Sequence, residues 1–286
     1  VRGVAHRFDV RNGNNGVSYR VEMRMAAEAA GLASRSYGTV TSAIPADRAR
    51  LRNQGALLKE VRELLTLSRG YGMDSVRQRA MSTAETVSAS LSEVVDDSAL
   101  ELVVDLRLAF GRLLAALGAN ERAEKEHLDT AELSLSQGWT ESACAALALA
   151  SHAAQARGDR ASSGRAWHQC RDAMESWPMN RPGERCGILV DAVGDPLVAV
   201  QVLSALAEIL VDGVEEDHSR APIIREIISR ASEQASRCVS PPQGAVESLA
   251  RVEERVAPYG RGRGGRRRPG STTTITTDGQ AAAGGE

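Results

Sequence analysis

Leu106-Arg-Leu-Ala-Phe-Gly-Arg-Leu-Leu-Ala-Ala-Leu-Gly118 and Ala145-Ala-Leu-Ala-Leu-Ala-Ser-His-Ala-Ala-Gln-Ala-Arg-Gly158-Asp159 are two apolar runs rich in alanine and leucine, each closed by a glycine. A third glycine, in Gly194-Asp195, closes another short apolar run. Apolar residues recurring at i, i+3 and i+4 read as helix, and a glycine just past the last of them reads as its end. The glycines stand 40 and then 36 residues apart, from 118 to 158 and from 158 to 194. That is the length of one helical hairpin, and hairpins repeated at such a period stack on one another. Residues 98–212 are therefore expected to form successive helix pairs in an all-α protein.

Local signals agree with the pairs. Ser98-Ala-Leu-Glu101 reads as a capping box, in which the serine accepts from an early helical amide and the glutamate reaches back. The helix it opens places Leu102, Leu106, Phe110 and Leu113 or Leu114 on one side, and its partner presents Ala123, His127, Thr130 and Ala131. The next pair has Ala166, Trp167, Cys170, Ala173 and Met174 facing inward. Asp195-Pro196 supplies an N-cap and a first-turn proline ahead of Ala199, Leu203, Leu206 and Leu210.

Small residues recur at matching places: Gly111, Ser151 and Gly187 in the first helix of each pair, and Ala123, Ala166 and Ala199 early in the second. With the turns at Gly118, Gly158-Asp159 and Gly194-Asp195, these positions make residues 104–211 resemble tetratricopeptide-type repeats. The lengthened second repeat and the missing family aromatics depart from that pattern. The resemblance implies antiparallel hairpins stacked as a right-handed α-solenoid. In such an array the first helices line a concave groove that receives a peptide or protein. The residue after each small position, and its neighbours one turn on, then point into the groove. This places Arg112, His152, Gln155, Glu184 and Asp191 in the lining, with Asp105 and Arg181 at the rim. Their mixed charge suits a protein or peptide partner. The basic and asparagine residues with which some relatives hold a C-terminal carboxylate are missing here.

On either side the signals are weaker. Residues 47–97 read as a helical hairpin, with Leu51, Leu58, Val61, Leu64, Leu65 and Leu67 in its first helix. Gly70-Tyr-Gly72 breaks it, and Asp74 or Ser75 caps the second helix of Val76, Ala80, Ala84, Val87 and Leu91. Residues 213–259 are expected to cap the stack with two more helices, one around Ile223, Ile224, Ile227 and Ile228 and one through Leu249, Val252 and Val256. Within residues 1–46, Ala26, Ala27, Ala30, Gly31, Leu32, Tyr37 and Val40 have the spacing of a helix-turn-helix unit, although Gly38 and Pro45 interrupt it. The alternative function that follows is a bacterial transcriptional regulator, with Ser34, Arg35 and Ser36 at the DNA and the repeats as sensor or dimerisation region. From residue 260 the composition shifts to arginine and glycine, then to threonine, glycine and alanine. That tail has too little apolar surface to order itself. Its Arg261, Arg263, Arg266, Arg267 and Arg268 form a possible nucleic-acid contact, without the aromatics that would stack on bases.

Bulk composition excludes several classes. Of 286 residues only 3% are aromatic, so a core must rely on close helix contacts, and the net charge of −2 carries no strong electrostatic address. Cys144, Cys170, Cys186 and Cys238 lie far apart with no zinc-knuckle spacing, pointing to a reducing, cytoplasmic setting. The histidines His6, His127, His152, His168 and His218 form no metal motif, and no phosphate-binding loop or nucleophile elbow occurs. Pro196 to Val211, the most apolar run, is too short to cross a bilayer. The chain starts at Val1 rather than methionine, which is expected of a piece of a longer protein. The expectation is a non-enzymatic helical-repeat scaffold with no cofactor, no metal and no membrane contact, binding a protein or peptide partner.

Overall fold

The structure, a computed structural model, describes residues 45–92, 100–177 and 181–260. Among them are ten α-helices, two short 3-10 turns at Met73–Ser75 and Ala257–Gly260, and no strand. The helices are α1 (Pro45–Tyr71), α2 (Arg77–Ser92), α3 (Leu100–Ala116), α4 (Asn120–Ser136) and α5 (Thr140–Ala156). They continue as α6 (Arg160–Glu175), α7 (Pro182–Val193), α8 (Pro196–Val211), α9 (Arg220–Ser236) and α10 (Gln243–Val256).

The region α3 to α6 is more regular than its sequence suggested. Between Gly118 and Gly158 stands a third helix-ending glycine, Gly138, that the spacing of hairpins had passed over. All three have positive φ, of 85°, 70° and 82°. At each, the glycine amide donates three residues back and the next amide five back: Gly118 to Ala115 O and Ala119 to Leu114 O, Gly138 to Leu135 O and Trp139 to Ser134 O, Gly158 to Gln155 O and Asp159 to Ala154 O. This is the Schellman closure, which needs a left-handed residue and so favours glycine. The 40-residue hairpin is thus two strides of one helix and one turn. Asp159 and Asp195 then start the following helices, accepting from the amides of Ser162 (2.9 Å) and Leu197 (2.9 Å).

Packing follows the chain closely. α4 lies against α3 and α5, α5 against α6, and α8 against α9, while α1 packs on α3, α5 on α7 and α8 on α10. One apolar cluster joins α1, α2 and α3 through Val61, Leu64, Val87, Leu102, Leu106, Phe110 and Leu113. A second runs from Val104 and Leu108 to α10 through Leu147, Cys170, Leu189, Leu203, Ile224 and Leu249. Helix α3 contributes opposite faces to both, so α1 and α2 share their core with the helices that follow. Inside the second cluster, Arg185 of α7 is ion-paired with Glu141 of α5, with side chains 6% and 3% exposed.

The small residues have unequal roles. A Cβ added at Gly111 would stand 2.7 Å from Nε2 and 2.8 Å from Nδ1 of His127, so glycine is what lets α4's imidazole lie on α3. Ser151 bridges α5 to α6, its hydroxyl 3.0 Å from both the carbonyl and the hydroxyl of Ser163. At Gly187 nothing lies within 4 Å of where a Cβ would be, so no helix crosses closely there. Ala123, Ala166 and Ala199 are all buried. Asp74 and Ser75 do not cap α2 from outside. They lie in a 3-10 turn, where Arg77 pairs with Asp74 (3.0 Å) and the Ser75 hydroxyl donates to Gly72 O (2.7 Å). The capping-box serine Ser98, the helix-turn-helix pattern with Ser34, Arg35 and Ser36, and the tail arginines fall outside the described residues.

Candidate functional site

Helix α1 carries Arg62, Leu65, Thr66 and Arg69 at i, i+3, i+4 and i+7, the spacing that aligns four side chains on one face. That face meets Arg112 of α3 and the last turn of α7, with Asp191 and Gly194. Together these seven residues line a cavity of about 260 Å³.

The end of α7 organises the arginines. A helix leaves its last carbonyls without intrahelical donors, and cations stabilise that end. Arg112 Nη1 donates to Val193 O at 3.1 Å, and Arg69 Nη2 donates to Gly194 O. Arg62 pairs loosely with the buried Asp105, 3.8 Å away. Arg112 Nε is buried without a hydrogen-bond partner. Desolvation, with the charges of Arg62 and Arg69 added, lowers the Arg112 pKa to about 10, against the opposing pull of Asp105 and Asp195. The guanidinium still stays charged at neutral pH.

Behind Arg112 lies His127, almost fully buried, its Nδ1 unpartnered. Burial, and secondarily Arg112, pushes its pKa down to about 3. It is a neutral buttress at physiological pH rather than an acid or base facing the cavity. The Thr66 hydroxyl donates to its own helix at Arg62 O (2.9 Å). The polar groups of the lining are three guanidiniums, the Asp191 carboxylate and the Thr66 hydroxyl.

The sequence-based groove residues divide. Arg112 and Asp191 come together at the cavity, with Asp105 just behind it. His152 and Gln155 are exposed on α5 and do not reach the lining. Arg181 and Glu184 pair with each other at 3.4 Å across the first turn of α7. Arg62 and Arg69 were missed. Their seven-residue spacing shows a shared face, but nothing in α1 itself says that this face meets α3 and α7.

Elsewhere two buried cysteines are held in the thiol form. Cys144 on α5 and Cys170 on α6 face each other, Cys170 Sγ lying 3.4 Å from Cys144 O. Contact with the Cys170 thiol and burial hold the Cys144 pKa well above its usual value, and burial pushes Cys186 up to about 12. These thiols are packing groups. Among the described residues no cluster of three or more histidine, cysteine, aspartate or glutamate side chains is arranged to hold a metal, and no helix is long and apolar enough to cross a membrane. No protein-family model matches the chain, and neither a curated protein nor a solved structure is similar enough to it to be matched.

Proposed function

We propose that this chain is a non-enzymatic helical-repeat scaffold, of the tetratricopeptide type and stacked as a right-handed solenoid, that takes a protein or peptide partner on its concave side. The observation that carries this reading is the origin of the cavity lining. Every lining residue comes from α1, α3 or the last turn of α7 and the glycine that ends it. Each of these is the first helix of a pair, and in stacked hairpins first helices form the inner surface. Arg112 and Asp191, chosen from the repeat pattern alone, meet there. Support also comes from the regular Schellman turns and from Gly111 and Ser151 at helix contacts.

A capture experiment tests the proposal. Wild type, Asp191→Arg and Arg112→Glu are immobilised beside Asp129→Arg, a charge reversal at an exposed site of α4. A partner bound by wild type and Asp129→Arg but lost from the two cavity variants fits the scaffold. A partner retained by all four proteins counts against this face. Circular dichroism of each variant separates lost binding from lost folding, since Arg112 also closes α7.

A further inference from the structure

The cavity has a charge excess that its structural duties do not exhaust. Three arginines and one aspartate line it, and Asp105 behind the lining pairs with Arg62, leaving one positive charge over. Each guanidinium carries five N–H donors. Arg69 places one on Gly194 O and Arg112 one on Val193 O, and Arg112 Nε–H has no acceptor. Leu65 and Thr66 supply a less polar wall beside them. The cavity, at about 260 Å³, exceeds the few tens of cubic ångströms that a single anionic oxygen cluster fills.

From this geometry we infer that the pocket between α1, α3 and the end of α7 binds a phosphate monoester, its phosphoryl oxygens on Arg62, Arg69 and Arg112 and its organic group against Leu65. Guanidinium forks match phosphoryl oxygens in shape as well as charge. An anion also offsets the surplus positive charge. Asp191 at the lining opposes the ligand and limits its affinity. The inference does not depend on a protein partner docking on this face, because the ester can be a free small molecule or a phosphorylated side chain.

Isothermal titration of the full chain tests it, with ionic strength held constant by sodium chloride. The probes are inorganic phosphate, phenyl phosphate and a blocked Ala-phosphoserine-Ala peptide. Saturable binding of phosphate is expected, tighter for at least one of the two esters. Affinity should climb between pH 5 and 7, as the second phosphoryl proton leaves near pH 6. Arg62→Gln, which leaves the two α7 closures in place, should weaken binding about tenfold, and Asp191→Asn should strengthen it several-fold. Preference for phenyl phosphate assigns a free metabolite as the source, and preference for the peptide assigns a modified partner. Non-saturating heats, unchanged affinity in Arg62→Gln, or no gain in Asp191→Asn would each overturn the site. The last variant matters because a merely weakened fold does not tighten binding.

Discussion

Gly111→Ala is expected to change sign with the residue opposite it. In the wild-type background the new methyl enters space held by the His127 imidazole, with ring nitrogens 2.7 and 2.8 Å from the ideal Cβ position. Overpacking of a well-filled interior costs about 1–3 kcal/mol. Removing glycine from a helix interior returns about 1 kcal/mol through backbone entropy. The imidazole is nearly fully buried and walled by α3, so little relaxation is open to it, and a net loss of about 1–2 kcal/mol follows. In a His127→Ala background the space is vacant, and Gly111→Ala then stabilises by about 1 kcal/mol. The coupling between the two sites is about 2–3 kcal/mol, within the range for residues in direct contact. Urea unfolding followed by tryptophan fluorescence reads this locally, because the three tryptophans, Trp139, Trp167 and Trp177, all belong to the adjoining helices α5 and α6 or their ends. If Gly111→Ala stabilises both backgrounds equally, the helix crossing described here is wrong.

Four further outcomes follow from the same structure. Glu141→Leu or Arg185→Leu alone removes one member of a buried ion pair between α5 and α7 and should cost about 3–5 kcal/mol, whereas the double variant recovers most of that in the same urea assay. His127 has a folded pKa near 3, below its unfolded value near 6.5, so the unfolded chain takes up the proton first. Its contribution is complete above about pH 6.5 and is lost at about 1.4 kcal/mol per pH unit as pH falls towards 3; the difference between wild type and His127→Ala, measured from pH 7 to 5, isolates it. Replacing Gly118, Gly138 or Gly158 by alanine forces a Cβ into a left-handed residue and should lower stability by about 1–2 kcal/mol each, read as a fall in thermal midpoint. Asp195→Ala removes the acceptor for the Leu197 and Val198 amides and should cost about 1 kcal/mol in the same thermal scan.

Much of the fold was legible because the information is local. Helical periodicity placed Leu102, Leu106 and Phe110 inside, and Asp195-Pro196 announced the start of α8 by chain chemistry alone. Gly138 is hidden in the hairpin period, because a glycine at half that period falls between the hairpin ends. Gly187 illustrates the opposite error: a small residue at the right spacing says that a helix can approach, not that one does. The site was legible only in half. Arg112 and Asp191 followed from their places after Gly111 and Gly187 in the proposed repeat pattern, but Arg62 and Arg69 belong to a helix outside that pattern. Their partners, the carbonyls at the end of α7, are backbone groups present in every sequence. Only tertiary packing makes those particular carbonyls face those particular arginines.

The binding surface itself is the most exposed part of the proposal. Hydrogen exchange by mass spectrometry, on the protein alone and with the partner recovered by capture, measures it directly. The scaffold reading predicts slowed exchange in the segments 62–72 and 188–195, around the cavity, with α9 and α10 unchanged. Protection confined to α9 and α10, or an unaltered map around the cavity with the partner bound, would contradict it.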